Sequence, residues 1–304
     1  MIRRFALIPF LLIFAFTLTA QEKDYSSHRY DWDDWDDWKF EFEYDRPFIE
    51  LNYGFGNQSH ENFTGDLPQV GLLEIKLGYL KNRSDLFGIL DDRKESFFFG
   101  SKISKGLSSS ELKANELEST LWRFGFSTRK TLGYYSETFS VLPYHQDGFV
   151  WSKLELPEHV FPSVNESDLM LLHPDYVNDY KIIERYRDSF RFGTQVEGGI
   201  RFEFVDFLSI NAGYEASVIF PRHLFWKHAG SYIIEKAGEG ALTFFINEIT
   251  DSTPEAGPVV RFLLLNAYSY AFHILKQENM NWPFDTENTC LTYETFKIGV
   301  TFTF

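Results

Sequence analysis

The chain closes on TFKIGVTFTF. At a period of two, Phe296, Ile298, Val300, Phe302 and Phe304 share one face, and Thr295, Lys297, Gly299, Thr301 and Thr303 share the other. Successive side chains of a strand point to opposite faces, so the alternation predicts a strand with one apolar and one polar side. Seven earlier segments repeat it. In 48–56, Ile49, Leu51, Tyr53 and Phe55 oppose Glu50, Asn52, Gly54 and Gly56. In 70–81, Leu73, Ile75, Leu77 and Tyr79 oppose Glu74, Lys76 and Gly78. In 95–104, Phe97, Phe99 and Ile103 oppose Gly100 and Lys102, with Phe98 intruding on the polar side. The segment 118–130 sets Trp122, Phe124 and Phe126 against Arg123, Gly125, Ser127 and Arg129, and 134–143 is a weaker case. The clearest is 189–204, where Phe190, Phe192, Val196, Ile200, Phe202 and Phe204 oppose Arg191, Gly193, Gln195, Glu197, Gly199, Arg201 and Glu203. In 208–220, Leu208, Ile210, Ala212, Tyr214, Ala216, Val218 and Phe220 oppose Ser209, Asn211, Gly213, Glu215 and Ser217.

Between 221 and 291 the period changes. Ile233, Ile234, Ala237, Ala241, Phe244 and Phe245 recur at helical spacing, and after the turn-rich TDSTPEAG the stretch 258–278 is apolar nearly all round. Two helices are predicted there, packed on each other and lying across the end of a barrel. Val259 to Leu275 is interrupted by Arg261, Asn266, Ser269 and His273, so it is not a spanning helix. The segment 153–188 carries Pro157, Pro162 and Pro174 among acids and aromatics and predicts a long surface loop.

Two features place the polar faces inside a narrow closed barrel. Glycine recurs on them, where an outer solvated face would only lose stability and a crowded interior gains room. Charges of both signs also balance: Glu50, Glu74, Glu197, Glu203 and Glu215 against Lys76, Arg123, Arg129, Arg191, Arg201 and Lys297. Buried charges demand such pairing, so a packed ion network is expected rather than an open pore. Connection lengths agree: 144–188 and 221–291 are long and fall at one end, TLGY and VDF are short and fall at the other, and only 82–94 is longer than its end should have.

Composition then narrows the class. MIRRFALIPFLLIFAFTLTA has a basic start, an apolar run and Ala20 before Gln21, the form of a secretory signal peptide. A single cysteine, Cys290, excludes an internal disulfide. A net charge of −15 excludes nucleic acid as a partner. Aromatic residues at 18% suit a barrel with aromatic girdles. Residues 21–47 form an acidic leader in which Trp32, Trp35 and Trp38 recur every third position, a candidate contact for a periplasmic partner over 31–44. Asp33, Asp34, Asp36 and Asp37 offer oxygen ligands but lack the glycine of a calcium loop, so no metal site is assigned.

The signal peptide, the alternating strands and the terminal GVTFTF resemble the small outer-membrane β-barrel proteins of Gram-negative bacteria. That resemblance implies an all-β antiparallel transmembrane barrel of about eight strands, or ten if 153–188 holds a further hairpin, with a helical extracellular insert. It implies the lipid bilayer and the outer-membrane assembly machinery as partners. By the same resemblance Val300, Phe302 and Phe304 carry the assembly signal.

The expected function is structural or surface-binding, with no open pore. The alternatives are a transport or ligand-capture barrel gated by the helices, and a soluble secreted barrel with an apolar ligand inside. Ile234, Phe244, Phe245, Phe262, Tyr268 and Phe272 are the candidate ligand site of the helical cap. Ser140, His145 and Asp147, and His223, His228 and Glu235, form loose groups without a catalytic motif, so no enzyme and no cofactor are expected.

Overall fold

The computed structural model describes residues 46–63, 67, 69–86, 88–102, 120–136, 138–155, 174–286 and 289–304. The expected signal peptide, the tryptophan-bearing leader through residue 45, and Ile103 lie outside the described residues.

Eight strands follow in order: β1 (Arg46–Ser59), β2 (Val70–Leu86), β3 (Ile89–Lys102), β4 (Thr120–Tyr134), β5 (Ser140–Glu155), β6 (Arg191–Val205), β7 (Leu208–Ile219) and β8 (Leu291–Thr303). Each pairs antiparallel with the next, and β8 pairs with both β7 and β1, so the sheet closes into a barrel. Helix α1 (Pro174–Tyr186) lies between β5 and β6, and α2 (Phe225–Ser252) and α3 (Gly257–Glu278) lie between β7 and β8.

Two boundaries differ from the sequence expectation. The connection expected over 82–94 is confined to 87–88, because β2 runs on to Leu86 and β3 begins at Ile89. All three connections at that end, 87–88, 135–139 and 206–207, are therefore short. The outer loop expected from residue 144 begins only after Glu155, because β5 is a strand of 16 residues. Its alternation is obscured because its inward side holds Leu142 and Val150 and its outward side holds His145 and Asp147.

The apolar faces point outward. Ile49, Leu51, Phe55, Leu73, Leu77, Phe97, Phe126, Phe204 and Ile298 are exposed on the outer wall. Aromatic side chains pair across neighbouring strands there, as in Phe55 with Phe296 at 5.6 Å and Phe124 stacked on Trp151 at 5.5 Å. The inside is layered. Toward the long-loop end, Leu72, Phe98, Leu121, Val150, Ile219, Leu291 and Tyr293 form an apolar layer completed by Ile182 and Tyr186 of α1. Phe98, the intruder in its strand pattern, belongs to this layer. Below it the interior is ionic.

Candidate functional site

Alternation in β1, β2, β4, β6, β7 and β8 brings four carboxylates and four cations to the middle of the barrel: Glu50, Glu74, Glu197 and Glu215 with Lys76, Arg123, Arg129 and Lys297, all buried. Arg129 forks onto Glu50, Nη1 donating to Oε2 at 2.8 Å and Nη2 to Oε1 at 2.9 Å. Lys297 Nζ reaches Glu74, Glu197 and Glu215 at 3.0, 2.8 and 2.6 Å. Lys76 Nζ lies 3.4 Å from Glu197 and 3.5 Å from Glu50. Arg123 binds Glu215 at 2.6 Å and stacks over Phe98, joining the ionic layer to the apolar one. Arg201 pairs with Asp92 and Arg83 with Glu203 nearer the short-turn end. Arg191 sits opposite Ser152 near the long-loop end and joins none of these pairs among the described residues.

Neutral groups complete the network, and the sequence pattern did not single them out. Tyr144 donates to Glu197 at 2.6 Å, and its ring lies 4.2 Å from the Arg129 guanidinium. That position exists because Gly199 and Gly213 face it: a Cβ on either would sit 2.4 Å from the Tyr144 hydroxyl. Gln146 accepts from Lys76 and from Arg129, both at 3.1 Å, and donates to Glu197 at 3.1 Å. Tyr144 and Gln146 lie in the part of β5 that the alternation missed. The fork, the shared lysine and the neutral partners satisfy charges that would otherwise be costly to bury. The arrangement fills the lumen and fixes the strand register.

The long-loop mouth is covered by α1. The Tyr186 hydroxyl donates to the Ile219 carbonyl at 3.4 Å and accepts from the Leu291 N–H at 3.1 Å. The Tyr186 ring meets His60 edge-on at 6.3 Å. His60 accepts from the Asn62 N–H through Nδ1, and its Nε2 donates to the Thr289 hydroxyl at 3.2 Å. Burial pushes the His60 imidazole below its usual pKa, partly offset by the bond to Thr289.

The expectation that α2 and α3 lie across the barrel end is corrected. They lie against its outer wall. Asn266 of α3 donates to the Tyr144 carbonyl at 3.3 Å and accepts from His145 Nδ1 at 3.0 Å. It sits over Gly198, whose missing Cβ leaves the room: one there would be 2.7 Å from the Asn266 side-chain oxygen. Lys130 of β4 binds Glu239 of α2 at 2.7 Å, and Lys236 of α2 binds Asp147 of β5 at 2.5 Å and Glu239 at 2.6 Å. Lys276 of α3 ties Glu235 of α2 at 2.5 Å. The loop joining the helices reaches the short-turn end, where Tyr134 donates to the Glu255 carbonyl at 2.6 Å. The physical reason is complementarity: Lys130, His145 and Asp147 stand on the outer wall among apolar side chains, and the hairpin brings the groups that pair with them. The far face of the hairpin is apolar and exposed at Ile233, Ile234, Phe244, Phe245, Val259, Leu263 and Ile274. Among the described residues no helix is long and apolar enough to cross a membrane.

The six residues expected to form a ligand site do not converge. Ile234, Phe244 and Phe245 are exposed on α2. Phe262 lies by the wall next to Val196, whereas Tyr268 and Phe272 pack on each other at 5.0 Å, with Tyr268 bonded to the Glu235 carbonyl. The first polar group separates, whereas His223 and His228 of the second both pack on Phe192. Ser140 points into the barrel while His145 and Asp147 point outward, and Glu235 is engaged by Lys276. Cys290 is buried with Val218, Phe220 and Met280, and burial raises its thiol pKa. Val300, Phe302 and Phe304 stand on the outer side of the closing strand, where the Phe304 N–H donates to the Pro47 carbonyl at 2.8 Å.

No family model and no curated protein matches the chain. Solved structures similar to it include three outer-membrane or surface proteins. Neisserial surface protein A, NspA, is 9% identical, with 85% of this chain and 97% of that one covered and a TM-score of 0.35. Ail, the attachment invasion locus protein of Yersinia pestis, is 8% identical over 86% and 99%, with a TM-score of 0.32. A major outer membrane protein from Thermus thermophilus is 8% identical over 85% and 99%, with a TM-score of 0.25. The closed antiparallel eight-strand barrel rests on the strand pairing itself.

Proposed function

We propose that this protein is an outer-membrane β-barrel with a filled lumen, serving the envelope structurally or binding at its surface, rather than conducting solute. The observation that carries the proposal is the inversion of the usual arrangement: a balanced ionic interior inside an apolar, exposed outer wall. In water such a wall would drive aggregation, whereas in lipid it is satisfied. The short turns would face the periplasm and the long connections the exterior. The hairpin α2–α3 would share the bilayer with the strands, with its apolar face toward lipid, Lys236 and Glu239 turned to the wall, and the exposed charges Lys227, Glu248, Asp251 and Glu278 toward the helix ends. The signal peptide and the terminal Val300, Phe302 and Phe304 support export and assembly into that membrane. The filled interior speaks against both alternatives, a path through the lumen and an apolar ligand inside it.

The test is fractionation followed by gel electrophoresis with and without boiling. The expected result is an outer-membrane protein that needs detergent for release and changes mobility when boiled. Release without detergent, and one mobility in both lanes, would overturn the membrane placement.

A further inference from the structure

At the long-loop end a cavity of about 430 Å³ separates the hairpin from the outer wall. Phe149, Trp151 and Phe192 line it from the barrel, and Ala229, Tyr232 and Met280 from the helical insert. Its volume lies within the roughly 300–1,000 Å³ typical of ligand pockets. Two of the polar groups that border it are already engaged, and His228 Nε2 is buried without a hydrogen-bond partner among the described residues. Ser231 donates to the Trp282 carbonyl at 2.6 Å, and Lys276 is held by Glu235. Apart from His228 Nε2, what remains for an occupant is aromatic and aliphatic surface, where water would find too few partners and a hydrocarbon chain fits. The barrel side of the cavity is continuous with the wall that faces lipid. Its edge carries basic side chains: Arg222, His223 and Lys227 are exposed where β7 passes into α2, Lys227 donates to the Asp285 carbonyl at 2.6 Å, and His223 lines the cavity itself.

We propose that this cavity binds one acyl chain of an anionic membrane lipid, with the headgroup held at Arg222 and His223. The apolar lining takes the chain, and the basic edge, at the depth where headgroups lie, takes the negative charge. The site rests on the membrane placement proposed above. It differs from the cap site expected from sequence, since none of those six residues lines it.

The full chain would be reconstituted into phosphatidylcholine vesicles carrying a small fraction of phosphatidylglycerol with a diazirine in its acyl chain. After photolysis, labelled residues would be mapped by mass spectrometry. The expected result is labelling concentrated on 149–151 and 220–232, several-fold above that at Leu51, Leu73 and Leu77 on the opposite wall. Ala229→Trp, which fills the cavity from the helix, and Thr194→Phe, which fills it from the barrel, should each remove the excess and leave the opposite wall labelled as before. Either variant suffices if the other does not fold, as judged by the boiling shift. Arg222→Glu with His223→Glu should abolish the preference over a diazirine phosphatidylcholine probe. Even labelling around the barrel, or an excess that persists in the folded cavity-filling variant, would overturn the site and leave the membrane placement standing. A wall with no labelling anywhere would overturn the membrane placement itself.

Discussion

At the residue scale, the fork of Arg129 on Glu50 is the most exacting contact in the lumen. Both partners are buried, and Glu50 also accepts from Asn52 at 3.0 Å and Thr301 at 2.9 Å. Arg129→Ala leaves the buried Glu50 carboxylate with only Lys76, 3.5 Å away, as counter-charge among the described residues, and breaking a buried pair costs up to roughly 3–5 kcal/mol. The expected outcome is a clear fall in the temperature at which the unboiled gel band converts to the boiled one. Arg129→Lys should lose less, because an ammonium keeps the charge but not the two parallel bonds. An unchanged conversion temperature in Arg129→Ala would mean that the fork adds nothing to stability. These ionic partners were legible in the sequence because charge alternated with apolar side chains. Tyr144 and Gln146 were not, because a tyrosine or glutamine on a weak alternation looks the same whether it faces the lumen or a loop.

Whole elements depend on such pairs as well. The hairpin is fastened by Lys130, Asp147, Lys236 and Glu239. Glu239→Lys places like charges together, and coupling among contacting residues is on the order of 0.5–3 kcal/mol. Protease should then cut within 221–290 more readily, while the boiling shift of the barrel persists. Adding Lys130→Glu should restore protection, and failure of that rescue would argue against the pair as the fastening. Helix α1 carries a different sensitivity. His60 is held neutral beneath it, with its folded pKa below the ordinary value of about 6.5. As pH falls through that ordinary value toward the folded one, the opened form takes up the proton first, so the closed form loses stability; above it the closed form keeps its full stability. Hydrogen exchange in α1, corrected for intrinsic rate, should rise from pH 7.5 to about pH 5 in the wild type, and His60→Gln should flatten that rise.

The whole molecule presents two closures in series: the ionic layer across the lumen, and the apolar layer sealed by Ile182 and Tyr186. A planar bilayer containing the purified protein should therefore show no steady conductance. Truncating α1 alone should not create one, because the ionic layer still crosses the lumen. Steady channels in the intact protein would contradict the filled interior.

The amino-acid pattern alone marked eight alternating segments while leaving ten strands open, and it indicated which faces turn outward and most of the charge balance of the lumen, because the two-residue period and the cost of unpaired buried charge are local rules. It also located both helices of the insert. Tertiary structure decided where those helices go. Helical spacing reports that a face is apolar, not what the opposite face will meet, and the polar positions Lys130, His145 and Asp147 became intelligible only once Glu239, Asn266 and Lys236 stood opposite them. The same contacts concealed β5, whose outward residues answer to the hairpin, and they formed the cavity at its edge from residues of four separate elements, β5, β6, α2 and α3.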